Sequence, residues 1–155
     1  MLSLMYVSMA QPGITAEELD ALVVQSAAHN TQLEITGLLA YNSLSFMQLL
    51  EGEGTAVLDV MRHIERDPRH SGITYIRQDT REKRECPDWS MRSLITPMTG
   101  IGSAKVFTGS LPLQMELDTK ILFTSFASSL TADEAARHAE NERQMLQESG
   151  EAQND

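Results

Sequence analysis

The run Gly37–Gly52, GLLAYNSLSFMQLLEG, decides how the chain folds. Two apolar stretches flank Asn42-Ser43, the pattern of a hairpin. Both strands, read as Glu34–Tyr41 and Leu44–Glu51, are too hydrophobic to lie open to water. Within the second strand, Phe46, Met47, Leu49 and Leu50 surround a single polar residue, Gln48. Side chains alternate along a strand, so Gln48 shares a face with Phe46 and Leu50. An amide on an apolar face needs partners, because an unpaired one forfeits roughly 1–3 kcal/mol of solvation. Two readings stand at this point: a structural glutamine tied to backbone, or a side chain that holds a ligand with a polar edge.

Working outward, Leu2–Ser8 reads as a first strand, and Gln11-Pro12-Gly13 as a turn. Thr15-Ala-Glu-Glu18 is a capping box that opens a helix. Its inward positions are Leu19, Leu22, Val23 and Ser26, and it is expected to stop near Asn30. After the hairpin, Val57, Met61 and Ile64 mark the inner face of a second helix that ends near Pro68. Gly72–Asp79 reads as a fourth strand and Trp89–Ile95 as a fifth, stopped by Thr96-Pro97. The order β-α-β-β-α-β plus one strand predicts an α+β, ferredoxin-like, five-stranded sheet with two helices on one face. Met98–Ser110 is expected to be a loop. Leu111–Leu130 is expected to be helical, with a further helix opened by Thr131-Ala-Asp-Glu134 and the last residues frayed. This divides the chain into a core, residues 1–97, and a covering segment, residues 98–150.

The 155 residues suit one core, and the formal charge of -10 disfavours a phosphate-backbone partner. A lone cysteine, Cys86, excludes an intrachain disulfide and a cysteine-built metal cluster. The N-terminus lacks the signature of a signal peptide, and no apolar run reaches the roughly 20 residues of a membrane span. A cytoplasmic protein without a membrane or nucleic-acid partner is expected. Nucleophile elbows, zinc-protease motifs and phosphate loops are absent, and His29, His63, His70 and His138 form no tight metal pattern.

One constellation carries chemistry. The two helices would leave a slot with His29 and Asn30 on one rim, Asp67 and Arg69 on the other, and Tyr6 and Gln48 as its floor. Amide and guanidinium groups suit a flat heterocycle with donors and acceptors along its edge. The same residues read equally well as helix-terminal polar groups with a local charge network at Asp67, Arg69 and His70.

Tyr6-Val-Ser8, Asn30 followed by Ile35-Thr-Gly-Leu-Leu39, Phe46-Met-Gln-Leu-Leu-Glu-Gly52, Ile64-Glu-Arg-Asp67, Arg69-His70 and Trp89-Ser-Met91 resemble the BLUF family, blue-light sensors using FAD. The resemblance covers about residues 1–95. It implies a noncovalent flavin, FAD with FMN as the alternative, between the two helices. It implies Tyr6 as electron and proton donor and Gln48 as the amide that rearranges. Ser26, His29, Asn30, His63, Ile64, Asp67, Arg69 and His70 would line the flavin site, and Trp89 and Met91 would relay the signal. It further implies a photoreceptor, not an enzyme, that acts on a downstream effector protein, with C-terminal helices carrying homo-oligomer contacts. Arg84-Glu-Cys-Pro-Asp88 stands where the family often has a bulky apolar residue, which predicts a looser loop into the fifth strand. The competing classes are a small ferredoxin-like enzyme using His29 or His70 as acid–base, and a flavin-free adaptor.

Overall fold

Two apolar faces of one sheet organise the molecule. The computed structural model describes residues 1–42, 44–95 and 109–152. In chain order the elements are β1 (Leu2–Ala10), α1 (Ala16–Gln32), β2 (Thr36–Tyr41), β3 (Ser45–Gly52), α2 (Gly54–Arg66), β4 (His70–Thr80), β5 (Arg92–Ile95) and α3 (Leu117–Ala152). The sheet order is β4-β1-β3-β2-β5. The first four of these strands pair antiparallel, and β5 joins β2 in parallel.

The hairpin places Gln48 between two strands, opposite Tyr6 of β1 and Leu39 of β2. Asn42 sets the turn: its side-chain oxygen accepts the Leu44 and Ser45 amides at 2.8 and 2.6 Å. Alternation then sorts the strands. Leu4, Tyr6, Leu39, Phe46 and Leu50 form one core with Leu19 of α1 and Val57, Val60 and Met61 of α2. Met5, Leu38, Ala40, Met47 and Leu49 form the other, covered by Leu111, Met115 and, from α3, Phe123 and Ala127. Gly37 is needed where β2 meets β3, since a Cβ there would lie 1.9 Å from the Leu49 carbonyl oxygen.

Both helices on the first face are capped by their own sequence. Thr15 and Glu18 complete the capping box of α1. Glu53 accepts the Thr55 and Ala56 amides at the start of α2. Asn30 does not end α1. It lies buried in the last turn, its carbonyl accepts the Leu33 and Ile35 amides, and the left-handed residue that follows is Glu34 at φ 54°.

Three further expectations change. The fifth strand starts at Arg92, not Trp89, although the Trp89 carbonyl already accepts the Gly37 amide at 2.8 Å. The loop before it is pinned, not loose, because Glu51 accepts the Glu85 and Cys86 amides and Arg84 donates to Thr36 and to the Glu34 and Glu51 carbonyls. The two C-terminal helices are one. No glycine or proline interrupts residues 117–149, so the backbone runs through the capping box at Thr131 without stopping. The loop expected at Met98–Ser110 lies outside the described residues as far as residue 108, as does the end of the chain from residue 153. Among the described residues, no helix is long and apolar enough to cross a membrane.

Candidate functional site

A cleft of about 190 Å³ opens between α1 and α2 above the sheet. Its apolar walls are Leu22 from α1, Leu39 and Phe46 from the sheet, and Val60 and Ile64 from α2. The polar lining is Tyr6, Gln25, Ser26, His29, Asn30, Gln48, His63, Asp67, Arg69 and His70. Every flavin-site residue expected from the sequence therefore reaches this one cleft. Trp89 and Met91 do not line it.

Tyr6 and Gln48 are cross-strand neighbours, and the phenol donates to the Gln48 Oε1. The other end of that amide meets a poor partner. Gln48 Nε2 donates to the Met91 thioether sulfur at 3.4 Å. A thioether is a weak acceptor, so the donor end of a buried amide is under-used. Burial drives the Tyr6 pKa far above the ordinary phenol value, and the Asp67 carboxylate adds to it. Tyr6 is a neutral phenol throughout the physiological range.

Asn30 is buried and donates through Nδ2 to the Ser90 carbonyl at 3.1 Å. It thus joins the end of α1 to the segment ahead of β5. Met91 belongs to the core under the cleft, whereas Trp89 packs against the core on the opposite face. Two residues apart, they contact different faces of the sheet.

The rim beyond α2 is ionic. Arg69 grips Asp67 through Nε and a terminal nitrogen at 2.9 and 2.6 Å. Burial pushes the Asp67 carboxyl up, but the Arg69 hydrogen bonds outweigh it and leave it below the usual carboxylate range. The same bonds raise Arg69. His70 lies 6.3 Å from the Tyr6 ring and edge-on to Phe46 at 6.1 Å. Its Nδ1 is 2.9 Å from the Ser8 hydroxyl. Burial lowers the His70 pKa, partly offset by the Ile64 carbonyl and Asp67, so the ring favours neutrality. Across the cleft, His29 of α1 and His63 of α2 face one another with ring centroids 5.9 Å apart.

Ser8 was not singled out from the sequence, although its signal was there. It follows Tyr6 by two residues on the same strand, so both project to the same face. The lining residues Leu22, Leu39, Phe46 and Val60 were likewise missed as site residues, because apolar helix and strand positions read as core, and Gln25 because a polar residue on a helix reads as a solvated face.

The family model described as "BLUF: Sensors of blue-light using FAD" matches residues 1–92. The photoactivated adenylate cyclase subunit beta of Euglena longa is 31% identical over 97 residues, 62% of this chain and 11% of that protein. The chain thus spans about a tenth of the length of the cyclase subunits it matches. The dark-state structure of BlrB, a BLUF protein, superposes with a TM-score of 0.64 at 28% identity, covering 83% of this chain and 96% of BlrB. A structure of Klebsiella pneumoniae BlrP1 with FMN and cyclic diGMP superposes with a TM-score of 0.62 at 29% identity, covering 86% of this chain and 35% of that one.

Proposed function

Because this chain belongs to the BLUF family of blue-light sensors, we propose that its flavin occupies the cleft between α1 and α2, with Tyr6 and Gln48 as the photoactive pair. The matched region is a photosensory module, not a catalytic one. Histidine acid–base chemistry at His29 or His70 has no place in that function. The observation that carries the assignment is the chain Tyr6–Gln48–Met91, in which a buried amide spends its NH₂ on a sulfur. A flavin edge has strong acceptors for such a donor. The apolar pair Phe46 and Ile64 suits a planar ring, Asn30 suits its polar edge, and Ser26, His29, His63, Asp67, Arg69 and His70 line the remaining polar part. The residues present therefore fit a flavin, and we take FAD over FMN on the family description.

Bound there, the flavin supplies blue-light absorption and an electron-accepting ring. Tyr6 holds its proton at Oη against Gln48 Oε1 and releases it only once it has lost an electron. Gln48 carries an acceptor and a donor on one rigid plane, so turning the amide over, or moving its proton, exchanges the group offered to Tyr6 without moving backbone. The low-dielectric surroundings strengthen each of these bonds. Breaking one and making another is worth about 1–3 kcal/mol, enough to bias a two-state segment. Met91, at the sulfur, is the first residue to feel the change, and Trp89 follows on the far face.

In this reading residues 1–97 are the photosensory core on a ferredoxin-like sheet, extended by β5. The covering segment, residues 98–150, whose Leu111, Met115, Phe123 and Ala127 pack on the back face, carries homo-oligomer contacts and addresses an effector protein in the cytoplasm. Purified protein should be yellow, release FAD on denaturation, and show a small, reversible red shift under blue light. A colourless protein that takes up no added flavin would overturn the proposal.

A further inference from the structure

On the face away from the cleft lies a buried ionic cluster that the photochemistry does not use. Glu51 follows Gln48 by three residues on β3, so it projects to the opposite face. Its carboxylate is 1% exposed and accepts the backbone amides of Glu85 at 2.8 Å and Cys86 at 2.8 Å. The Glu85 side chain, also buried, points onward. It accepts the Glu116 amide at 3.0 Å and the Thr119 hydroxyl at 2.6 Å, both at the N-terminal end of α3. A carboxylate there is favoured by the free amides and the helix dipole. Arg77 of β4 closes the cluster. Its guanidinium donates to Glu85 at 3.1 Å, Thr119 at 2.6 Å and Asp118 at 3.1 Å. Arg81 adds Asp118 and Glu116 at 2.9 and 2.5 Å.

Residues 85–91 are therefore held at both ends by the same strand. Glu51 grips the Glu85-Cys86 backbone, and Gln48 makes a weaker contact to the Met91 sulfur. Between them the Cys86 carbonyl accepts the Trp89 amide, the Trp89 carbonyl accepts the Gly37 amide, and the Ser90 carbonyl accepts Asn30. A change of partner at Gln48 loosens one end of this segment. The other end carries the carboxylate on which α3 is seated.

We infer that Glu85 is the positioning residue through which the Gln48 switch moves α3, with Glu51 as its anchor and Thr119 as its seat. The inference rests on the flavin-sensor reading of the cleft. It places the output in the docking of α3 on the sheet, not only in the edge strand β5.

The test is hydrogen–deuterium exchange of the amides of residues 116–126, in the dark and under blue light, on the flavin-loaded chain. The absorption red shift is recorded on the same samples. In the unmodified chain, light should raise exchange at these amides by about tenfold or more, the equivalent of a full hydrogen-bonded contact given up. In Glu85→Ala, exchange should already be fast in the dark and light should add nothing, while the red shift persists. Glu85→Gln keeps an acceptor for Thr119 and Glu116 and should restore part of the light dependence. Thr119→Val removes the hydroxyl at nearly constant volume and should reduce it, which covers the case in which Glu85→Ala does not fold. A light response at 116–126 that is unchanged in Glu85→Ala and Thr119→Val, or its absence from an unmodified chain that does show the red shift, overturns the inference. Absence of the red shift itself would mean that the sensor reading has failed, and the latch with it.

Discussion

In the proposed function Gln48 is the residue on which the chemistry turns, and its setting supports that role. It is flanked by hydrocarbon along β3, faces Tyr6 and Leu39 across the strands, and binds a phenol at one end and a sulfur at the other. Such an amide can offer a strong partner either its acceptor or its donor end. The neighbouring histidine gives a pH test of the same site. His70 is held neutral by burial, against an unperturbed value near 6.5. As pH falls below about 6.5, the unfolded chain takes up a proton that native His70 resists, so stability drops. His70→Gln should therefore lose less melting temperature between pH 7.5 and pH 5.5 than the unmodified chain, both flavin-saturated. Equal losses would show that His70 is not held neutral in the fold.

At the scale of elements, the hairpin is the part that the sequence states most openly. The burial of β2 and β3 on both faces, the turn at Asn42, and the capping box of α1 were all legible, because each is set by residues within a few positions of one another. The start of β5 was not legible. It depends on where Trp89 and Met91 dock, one on each face, and only then does the ladder with β2 begin. Gly37 carries a sharper consequence. A methyl group there would drive into the Leu49 carbonyl, and backbone in the middle of the sheet cannot give way as a side chain can. Gly37→Ala should destabilise the protein by about 3 kcal/mol, the upper end of overpacking costs, in chemical denaturation. A loss under about 0.5 kcal/mol, the range of neutral surface changes, would mean that β2 and β3 do not approach this closely.

Across the whole molecule, the sheet separates the cleft from the face on which α3 packs. The cleft side was readable from the chain because Tyr6, Asn30, Gln48 and the residues from Ile64 to His70 fall in compact runs. The opposite side was not, because Ser3, Glu51, Arg77, Glu85 and Thr119 meet only through strand register and the seating of α3. The merging of two expected helices into α3 has the same origin. A capping box marks where a helix can begin, not where the preceding one must end. At about 54 Å, a helix of 36 residues outreaches the sheet that it covers at one end, which suits it to carry a signal away. All of this depends on the Tyr6–Gln48 pair being the switch. The most direct measurement is the light-minus-dark absorption difference of Gln48→Leu and Tyr6→Phe, each with flavin bound in full. Both should be flat where the unmodified chain shows its red shift, and a normal shift in either variant would contradict the account.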